Sequence, residues 1–194
     1  MKTGDIDIDF GDRSKVLEHL KHTSASMLDK DGRLIPHKTG VYFTEIPSVQ
    51  GQATIDYKAA EERGYFKVDL LNVHVYEKVK SKEHLDKLIA TEPPWEKLKD
   101  AAFCAKLIHI GNWHSTIMQM PEPIDSIPRL AMFLAIIRPG KKHLVGKTWK
   151  EVSESVWDKT EDGYSFKKAH AVSYSHLVVA HMNLLNEQDN ESVS

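Results

Sequence analysis

Acidic and apolar residues alternate strictly over residues 5–10, which read Asp-Ile-Asp-Ile-Asp-Phe. Because successive side chains of a β-strand point to opposite faces, this pattern predicts a strand with Asp5, Asp7 and Asp9 on one face and apolar residues on the other. Carboxylates two positions apart on a strand lie about 6.6 Å from each other. Each ionised pair then costs roughly 2.5 kcal/mol at an effective dielectric constant of about 20. A divalent cation would remove this cost, and oxygen ligands suit Mg²⁺ or Mn²⁺. The alternative is an edge strand whose charges face water.

The pattern over the rest of the first third predicts further strands, one of which contains a single acid. Strands are predicted near residues 41–46, 52–57 and 65–71, helices over 13–22 and 58–63, and loops over 23–33 and 47–51. Asp69 interrupts the mostly apolar run over 65–71. An acid within an apolar strand is costly unless it is paired or bound to a metal. The alternatives for Asp69 are a pair with Lys67 or a position that faces solvent.

From residue 73 onward, the apolar periodicity becomes helical. Helices are predicted over 73–80, 82–90, 91–104, 125–137, 148–157 and 171–185, with a loop over 163–170. These elements predict an α+β protein in which residues 1–72 form a small mixed sheet and residues 73–186 form a helical lobe. The polar tail, residues 187–194, is predicted to be disordered.

Composition and charge narrow the class of protein without adding a site. Of 194 residues, 41% are hydrophobic and 28% are charged, which is typical of a globular domain with a sizeable core. The formal net charge of −2 excludes a global basic signature, so contact with nucleic acid would depend on local clusters such as residues 138–147. The single Cys104 excludes an internal disulfide framework and a cysteine-rich zinc site. The first residues are polar and no long apolar run is present, so we expect no membrane span, no signal peptide and a cytoplasmic location.

Five stretches, in order along the chain, carry a resemblance to a known family. They are Gly-Asp-Ile-Asp-Ile-Asp-Phe at 4–10, His-Lys-Thr-Gly-Val at 37–41, Thr-Ile-Asp-Tyr-Lys with Gly-Tyr-Phe-Lys-Val-Asp-Leu-Leu within 54–71, Ile-Arg-Pro-Gly at 137–140, and Tyr-Ser-Phe-Lys-Lys-Ala-His-Ala-Val-Ser-Tyr at 164–174. Together they resemble the palm and fingers of the catalytic α subunit of bacterial DNA polymerase III, a C-family DNA polymerase, in heavily truncated form. The resemblance implies a palm of the polymerase β-like nucleotidyltransferase type with a finger-like helical lobe.

The resemblance also assigns carboxylate chemistry to particular positions. Asp7 and Asp9 would be the two metal-binding aspartates, and Asp69 would be the third catalytic and metal-binding one. The supporting positions would be Asp5, His37 and Lys67. The implied cofactor is Mg²⁺ or Mn²⁺, with two ions about 3.5–4 Å apart that activate a primer 3′-hydroxyl and hold a nucleoside triphosphate.

Phosphate contacts are implied in the second half of the chain. The residues are Arg138, Lys167, Lys168 and His170, whose charges would offset those of the phosphates. Lys168 and His170 stand just before a predicted helix, whose N-terminus would add its positive end. The alternative is a solvated basic face with a capping histidine. Four aromatic residues would either stack on bases or belong to the core, namely Tyr65, Phe66, Trp113 and Tyr164.

The function implied by the resemblance is metal-dependent nucleotidyl transfer to a nucleic-acid end, with DNA expected rather than RNA and other replication proteins as further partners. Two alternatives stay open. One is a non-catalytic nucleic-acid-binding or polymerase-interacting protein on the same scaffold, and the other is a metal-dependent phosphodiesterase or nuclease. Metal binding separates both enzymes from the scaffold protein, and nucleotide incorporation separates the transferase from the nuclease.

Overall fold

The computed structural model describes residues 6–138, 140–159 and 166–191. The chain divides into two compact units, Met1–Lys78 and Val79–Ser194. Within the described residues, every strand lies in the first unit, and the second unit consists of helices and connecting turns. The class is therefore α+β with a mixed sheet, as predicted. The predicted boundary lay after residue 72, whereas the units divide after Lys78.

A mixed sheet forms the first unit. Its strands are β1 Ile6–Phe10, β2 Thr23–Leu28, β3 Leu34–Tyr42, β4 Ser48–Val49, β5 Gln52–Asp56 and β6 Val68–Asn72. The six strands follow the order β1-β6-β3-β2-β5-β4. The pairs β1–β6 and β2–β5 are parallel, and the other neighbours are antiparallel. The acidic strand β1 therefore lies at one edge of the sheet, as its alternative interpretation predicted.

Two short helices lie between these strands and a 3₁₀-helix follows the last strand, and an aspartate caps each of the first two. The helices are α1 Arg13–Leu17, α2 Tyr57–Glu62 and a 3₁₀-helix over His74–Lys78. The Asp12 carboxylate accepts the backbone N–H of Ser14 at 2.9 Å, and the Asp56 carboxylate accepts that of Lys58 at 3.0 Å. Both aspartates are N-caps that satisfy an otherwise unpaired N–H of the first turn. The helix predicted over 13–22 is shorter than expected, since α1 ends at Leu17.

The loop predicted over residues 23–33 is wrong, because β2 occupies its first half. The sequence there is polar, yet Ala25 and Ser26 are fully buried. The Ser26 hydroxyl donates to the backbone carbonyl of Ala53 and accepts a hydrogen bond from the Gln52 side chain at 2.6 Å. Because β5 supplies these partners, a segment whose composition is typical of a loop pairs as an interior strand.

The sheet buries a separate apolar cluster on each face. The cluster on the α1 side comprises Val41, Val68 and Leu70, with Phe10, Leu17 and Phe66 packed against it. The cluster on the α2 side comprises Ala25, Tyr42, Ile46, Ala53 and Ala60, with Tyr65 among those packed against it. Val41 and Tyr42 are consecutive in β3, so the two clusters lie on opposite faces. Ile6 and Ile8 stay 46% and 41% exposed, so only the end of the apolar face of β1 reaches the core.

The second unit is a helical domain with its own core. Its helices are α3 Lys82–Ala90, α4 Ala101–Lys106, α5 His114–Ile117, α6 Ile127–Ile136, α7 Trp149–Ser155 and α8 Lys168–Glu191, with 3₁₀-helices over Trp95–Lys99, Gly111–Trp113 and Lys142–Leu144. The apolar helix α6 lies at the centre, where Leu130, Phe133 and Leu134 are fully buried and share a cluster with Val178 and Met182 of α8. Among the described residues, none of the helices is both long enough and apolar enough to cross a membrane.

The prediction of a disordered tail over residues 187–194 is wrong for its described part, because α8 continues to Glu191. A hydrogen bond with a histidine and ion pairs with lysines hold this polar end. Glu187 lies 2.9 Å from the His84 ring and 3.4 Å from Lys87, and Asp189 lies 3.0 Å from Lys97. These partners are distant in sequence, so the composition of the tail alone does not reveal them. Helix α8 also begins at Lys168, so the loop predicted over 163–170 is wrong for residues 168–170.

Candidate functional site

The parallel pairing of β1 and β6 brings the predicted carboxylates to one face of the sheet. Asp7 lies directly opposite Asp69, and Asp9 lies opposite Leu71. Residues opposite each other in a parallel pair project to the same face, and so do residues two apart on one strand. Asp7, Asp9 and Asp69 therefore share a face, as the metal-site hypothesis requires. Asp5 lies outside the described residues.

Asp7 and Asp9 form an exposed acidic pair on the edge strand. Loss of hydration, followed by the negative charge of Asp7, raises the pKa of Asp9 above its usual value. The second of these causes, repulsion between like charges, is the one that the alternating sequence suggested. A cation bound beside both carboxylates would oppose this shift, so the pair has the charge expected of a cation ligand.

Asp69 is held in a different environment, between two donors. The Lys67 ammonium donates to Oδ2, and the Thr39 hydroxyl donates to Oδ1 at 2.7 Å. Burial alone would raise the pKa of Asp69, but the hydrogen bonds from Lys67 and Thr39 and the charge of Lys67 lower it below its usual value. The predicted alternative, a pair with Lys67, is therefore confirmed, and Asp69 is a fixed negative charge at neutral pH.

A bulge in β3 places the Thr39 donor beside Asp69. The register between β2 and β3 jumps from Ser24–Val41 to Ser26–Pro36, so residues 37–40 are not matched to β2. The His37 ring closes this bulge, because its Nδ1 accepts the backbone N–H of Gly40 at 2.9 Å. With that acceptor role, neutral His37 carries its proton on Nε2. The 3.7 Å separation from His37 Nδ1 to Asp69 Oδ1 then joins two acceptors and is not an ion pair in this tautomer.

Gly40 leaves room for the Lys67 side chain, which packs over it beside Asp69. A Cβ at Gly40 would lie 2.7 Å from Lys67 Cδ and 3.0 Å from Ala25 Cβ, closer than packed carbon atoms approach. The first residue of α2, Tyr57, completes the surroundings, with the Lys67 ammonium 5.6 Å from its ring centroid. Lys67 and Asp69 are thus enclosed, with side chains only 11% and 13% exposed.

Sequence reasoning missed Thr39, Gly40 and Tyr57 as parts of this site. The first two lie within the stretch 37–41 that carried the family resemblance, which is the signal that marks them. Tyr57 lies within the stretch Thr-Ile-Asp-Tyr-Lys at 54–58, which carried the same resemblance, but nothing in that stretch marks the tyrosine as a neighbour of Lys67. Its position beside Lys67 depends on how α2 packs on the sheet, which local sequence does not specify.

The stability contributed by Asp69 should depend on pH. Its pKa is lower in the folded protein than the usual value of 3.8, so its contribution is present above that value and is lost as pH falls through the folded-state pKa. We expect Asp69→Asn to have a lower free energy of unfolding than the parent at pH 6, with the difference shrinking steadily below about pH 4. Urea denaturation across this pH range measures the difference. A gap that stays constant or widens toward low pH would contradict the assignment.

The donor chemistry suits a hard divalent cation held by few protein ligands. Among the residues that the structure describes, no three His, Cys, Asp or Glu side chains form a group that could hold one ion. Asp7 and Asp9 supply the oxygen donors that Mg²⁺ prefers, and Mg²⁺ in proteins commonly keeps several water ligands. The two exposed carboxylates therefore fit such an ion, with Asp69 on the same face as a third charge.

In the second unit, Arg138 lies in an aromatic cluster. Its Cζ is 4.8 Å from the ring centroid of Phe166, and Phe166 stacks on Tyr174 at 6.0 Å. His109 stacks on the same tyrosine at 4.4 Å. Burial, followed by the charge of Arg138, lowers the pKa of His109. Arg138 Nε is buried and has no hydrogen-bond partner in the structure. This unsatisfied buried donor calls for an explanation, and a guanidinium is a group that binds anions such as phosphate.

The other predicted phosphate-binding residues lie at the start of α8. Lys167, Lys168 and His170 are exposed. Lys168 and His170 were predicted to lie just before the helix, whereas the helix includes both of them. The His170 ring lies 6.3 Å from that of Tyr174, so it approaches the same aromatic cluster as Arg138. Lys168 instead lies with its ammonium 5.9 Å from the Trp157 ring centroid. Pro139 and Tyr164, which belong to the stretches of family resemblance, lie outside the described residues.

Comparison with known proteins adds no family assignment. No protein-family model matches the chain, and neither does any curated protein or solved structure. The candidate chemistry therefore rests on the carboxylates of the first unit and on the Arg138 cluster of the second.

Proposed function

We propose that this protein catalyses metal-dependent nucleotidyl transfer, adding nucleotides from a nucleoside triphosphate to a nucleic-acid end. The observation that carries the proposal is the pairing of Asp7 with Asp69 on parallel neighbouring strands, which sets three carboxylates on one face. On this proposal the mixed sheet is a palm of the polymerase β-like type. The five stretches that resemble the DNA polymerase III α subunit support DNA as the substrate.

The three carboxylates have two different tasks in this proposal. Asp7 and Asp9 would hold Mg²⁺ or Mn²⁺, which when bound neutralises phosphate charge and activates a hydroxyl nucleophile. Asp69 stays ionised because Lys67 and Thr39 donate to it, and it therefore adds a fixed charge to the same face.

Phosphate binding is assigned to the second unit. Arg138 has a buried Nε without a hydrogen-bond partner in the structure, and its guanidinium suits the geometry of phosphate oxygens. His170 approaches the same cluster. These features support a phosphate contact at Arg138 more strongly than at the exposed Lys167 and Lys168.

A specific observation also favours the non-catalytic scaffold as a second candidate. Both oxygens of Asp69 are already satisfied, Oδ2 by Lys67 and Oδ1 by Thr39. A carboxylate neutralised by an internal ammonium needs no metal, so the first unit could keep this arrangement purely for structure. In that case the chain would bind nucleic acid or a polymerase without reacting.

A labelled-primer assay tests the proposal. The protein is incubated with a 5′-labelled primer–template duplex and all four nucleoside triphosphates, in parallel with Mg²⁺, Mn²⁺ or a chelator. Products longer than the primer in both metals, and none with chelator, are the expected result. Shortened primers would indicate nuclease activity instead of nucleotidyl transfer. If the protein bound the duplex but the primer stayed unchanged under all conditions, the catalytic proposal would be overturned and the non-catalytic binding protein would be the better candidate.

A further inference from the structure

Rings and cations of the second unit meet along two segments of chain. Lys142 Nζ lies 5.9 Å from the ring centroid of Trp113, and Arg138 is linked to His109 through the rings of Phe166 and Tyr174. One segment thus supplies His109 and Trp113, and the other supplies Arg138 and Lys142. The two segments approach each other at these contacts, and we call these four residues the ring–cation strip.

The surroundings of the ring–cation strip carry no acid in sequence. Residues 101–121 and 126–150 contain no Asp or Glu, in a chain that has 28 of them. The second of these ranges contains the cations Arg129, Arg138, Lys141, Lys142, Lys147 and Lys150. Arg129 pairs with Glu122 and Asp125, and Lys141 donates to the carbonyl of Ser155. The others include the exposed Lys142, Lys147 and Lys150, so this region is locally positive although the chain is not.

The backbone around the rings is held in an unusual conformation. His109 has φ of +62°, a left-handed value that is costly for a residue with a side chain. It is followed by a turn of 3₁₀-helix over Gly111–Trp113. This turn leaves the Trp113 ring only partly buried against the core. Strain that fixes the position of aromatic rings is a feature of binding sites.

We propose that the ring–cation strip binds single-stranded nucleic acid, with a base stacked on Trp113 and phosphates on Lys142 and Arg138. Lys142 is exposed, so its contact with the Trp113 ring is a weak cation–π pair. A nucleotide can bind the ring and the lysine at once, because its base stacks on the Trp113 ring and its phosphate attracts the Lys142 ammonium. Stacking requires an unpaired base, so the strip should reject duplex. The inference deepens the proposed function by naming the form of the nucleic acid, but the surface lies within the second unit alone.

Binding of oligonucleotides without metal or triphosphate tests this inference. Fluorescence anisotropy would be measured with a labelled oligo-dT, an oligo-U of the same length, a duplex, and an abasic oligomer with equal phosphate charge. We expect Trp113→Leu to raise the Kd for the single strands about tenfold and to leave the Kd for the abasic oligomer unchanged. Lys142→Gln should lower the slope of log K against log salt by about 0.7.

Controls separate folding from recognition. Trp113→Phe keeps a ring and should retain most of the affinity, and Lys30→Gln, which removes an exposed charge in the first unit, should leave binding unchanged. Equal affinity for duplex and single strand, a parental salt slope in Lys142→Gln, or equal weakening on the abasic oligomer would overturn the inference. If the parent extends primers but the variants of the ring–cation strip bind single strands as the parent does, this inference is overturned and the proposed function is not. Binding as expected by a parent without catalytic activity would sink only the proposed function.

Discussion

Replacing Asp7 by Asn is expected to lower metal-dependent nucleotide incorporation by about a hundredfold or more, since even residues that only orient a metal ligand contribute 10–100-fold. The same variant should not be less stable than the parent. Asp7 is exposed, and its charge is one of the causes that raise the pKa of Asp9. Removing that charge relieves repulsion. Activity is therefore expected to fall while the free energy of unfolding stays level or rises, and primer extension beside urea denaturation measures both.

The matched control is Asp31→Asn, which removes an exposed acid from a turn of the same unit. Asp31→Asn should keep parental activity. This control therefore separates the effect of removing any negative charge from the effect of removing a metal ligand. Asp9→Asn should behave as Asp7→Asn does. If Asp7→Asn retained most of the activity of a parent that extends primers, the carboxylates of β1 would not be the metal ligands, and the proposed site would be wrong.

Replacing Asp69 by Ala should have the largest effect on stability. The change leaves the Lys67 ammonium enclosed without a counter-charge, with only 11% of its side chain exposed. Breaking a fully buried ion pair costs 3–5 kcal/mol, and residual exposure of both partners reduces the expected loss to about 2–3 kcal/mol. Urea denaturation followed by circular dichroism measures this loss in the free energy of unfolding.

A double variant distinguishes two causes of the lost stability, an unpaired Lys67 ammonium and a loss of packing. Lys67→Met combined with Asp69→Leu replaces the pair by apolar groups of similar size, and we expect it to recover most of the stability lost in Asp69→Ala. The solvent-exposed pair of Lys82 and Asp86 provides the control, since Asp86→Ala should produce no measurable change. If the double variant were as unstable as Asp69→Ala, the loss would come from packing and not from the unpaired ammonium.

Much of the candidate site was predictable, because strand periodicity acts within a few residues. The alternation in residues 5–10 places Asp7 and Asp9 on one face whatever the strand pairs with. Asp69 stood out as an acid in a mostly apolar run, and the predicted pair with Lys67 needs only that both lie on the same face of one strand. The long apolar helix α6 was predictable for the same reason, since its pattern is continuous.

Other features depended on partners that are distant in the chain. The polar segment Thr23–Leu28 is a strand because β3 and β5 supply its hydrogen bonds. The polar end of α8 is helical because Lys97 and His84 pair with it. Local composition predicted a loop and a disordered tail at these two places, since it contains no information about what lies beside them.

By itself, the sequence determined which residues carry charge and which faces of single elements they occupy. Only the tertiary structure decided that β1 lies parallel to β6 with Asp7 opposite Asp69, and that a bulge in β3 sets Thr39 on the third aspartate. The physical reason is that side-chain direction follows from the backbone repeat of one element. Register between two strands is chosen by the packing and hydrogen bonding of the whole sheet.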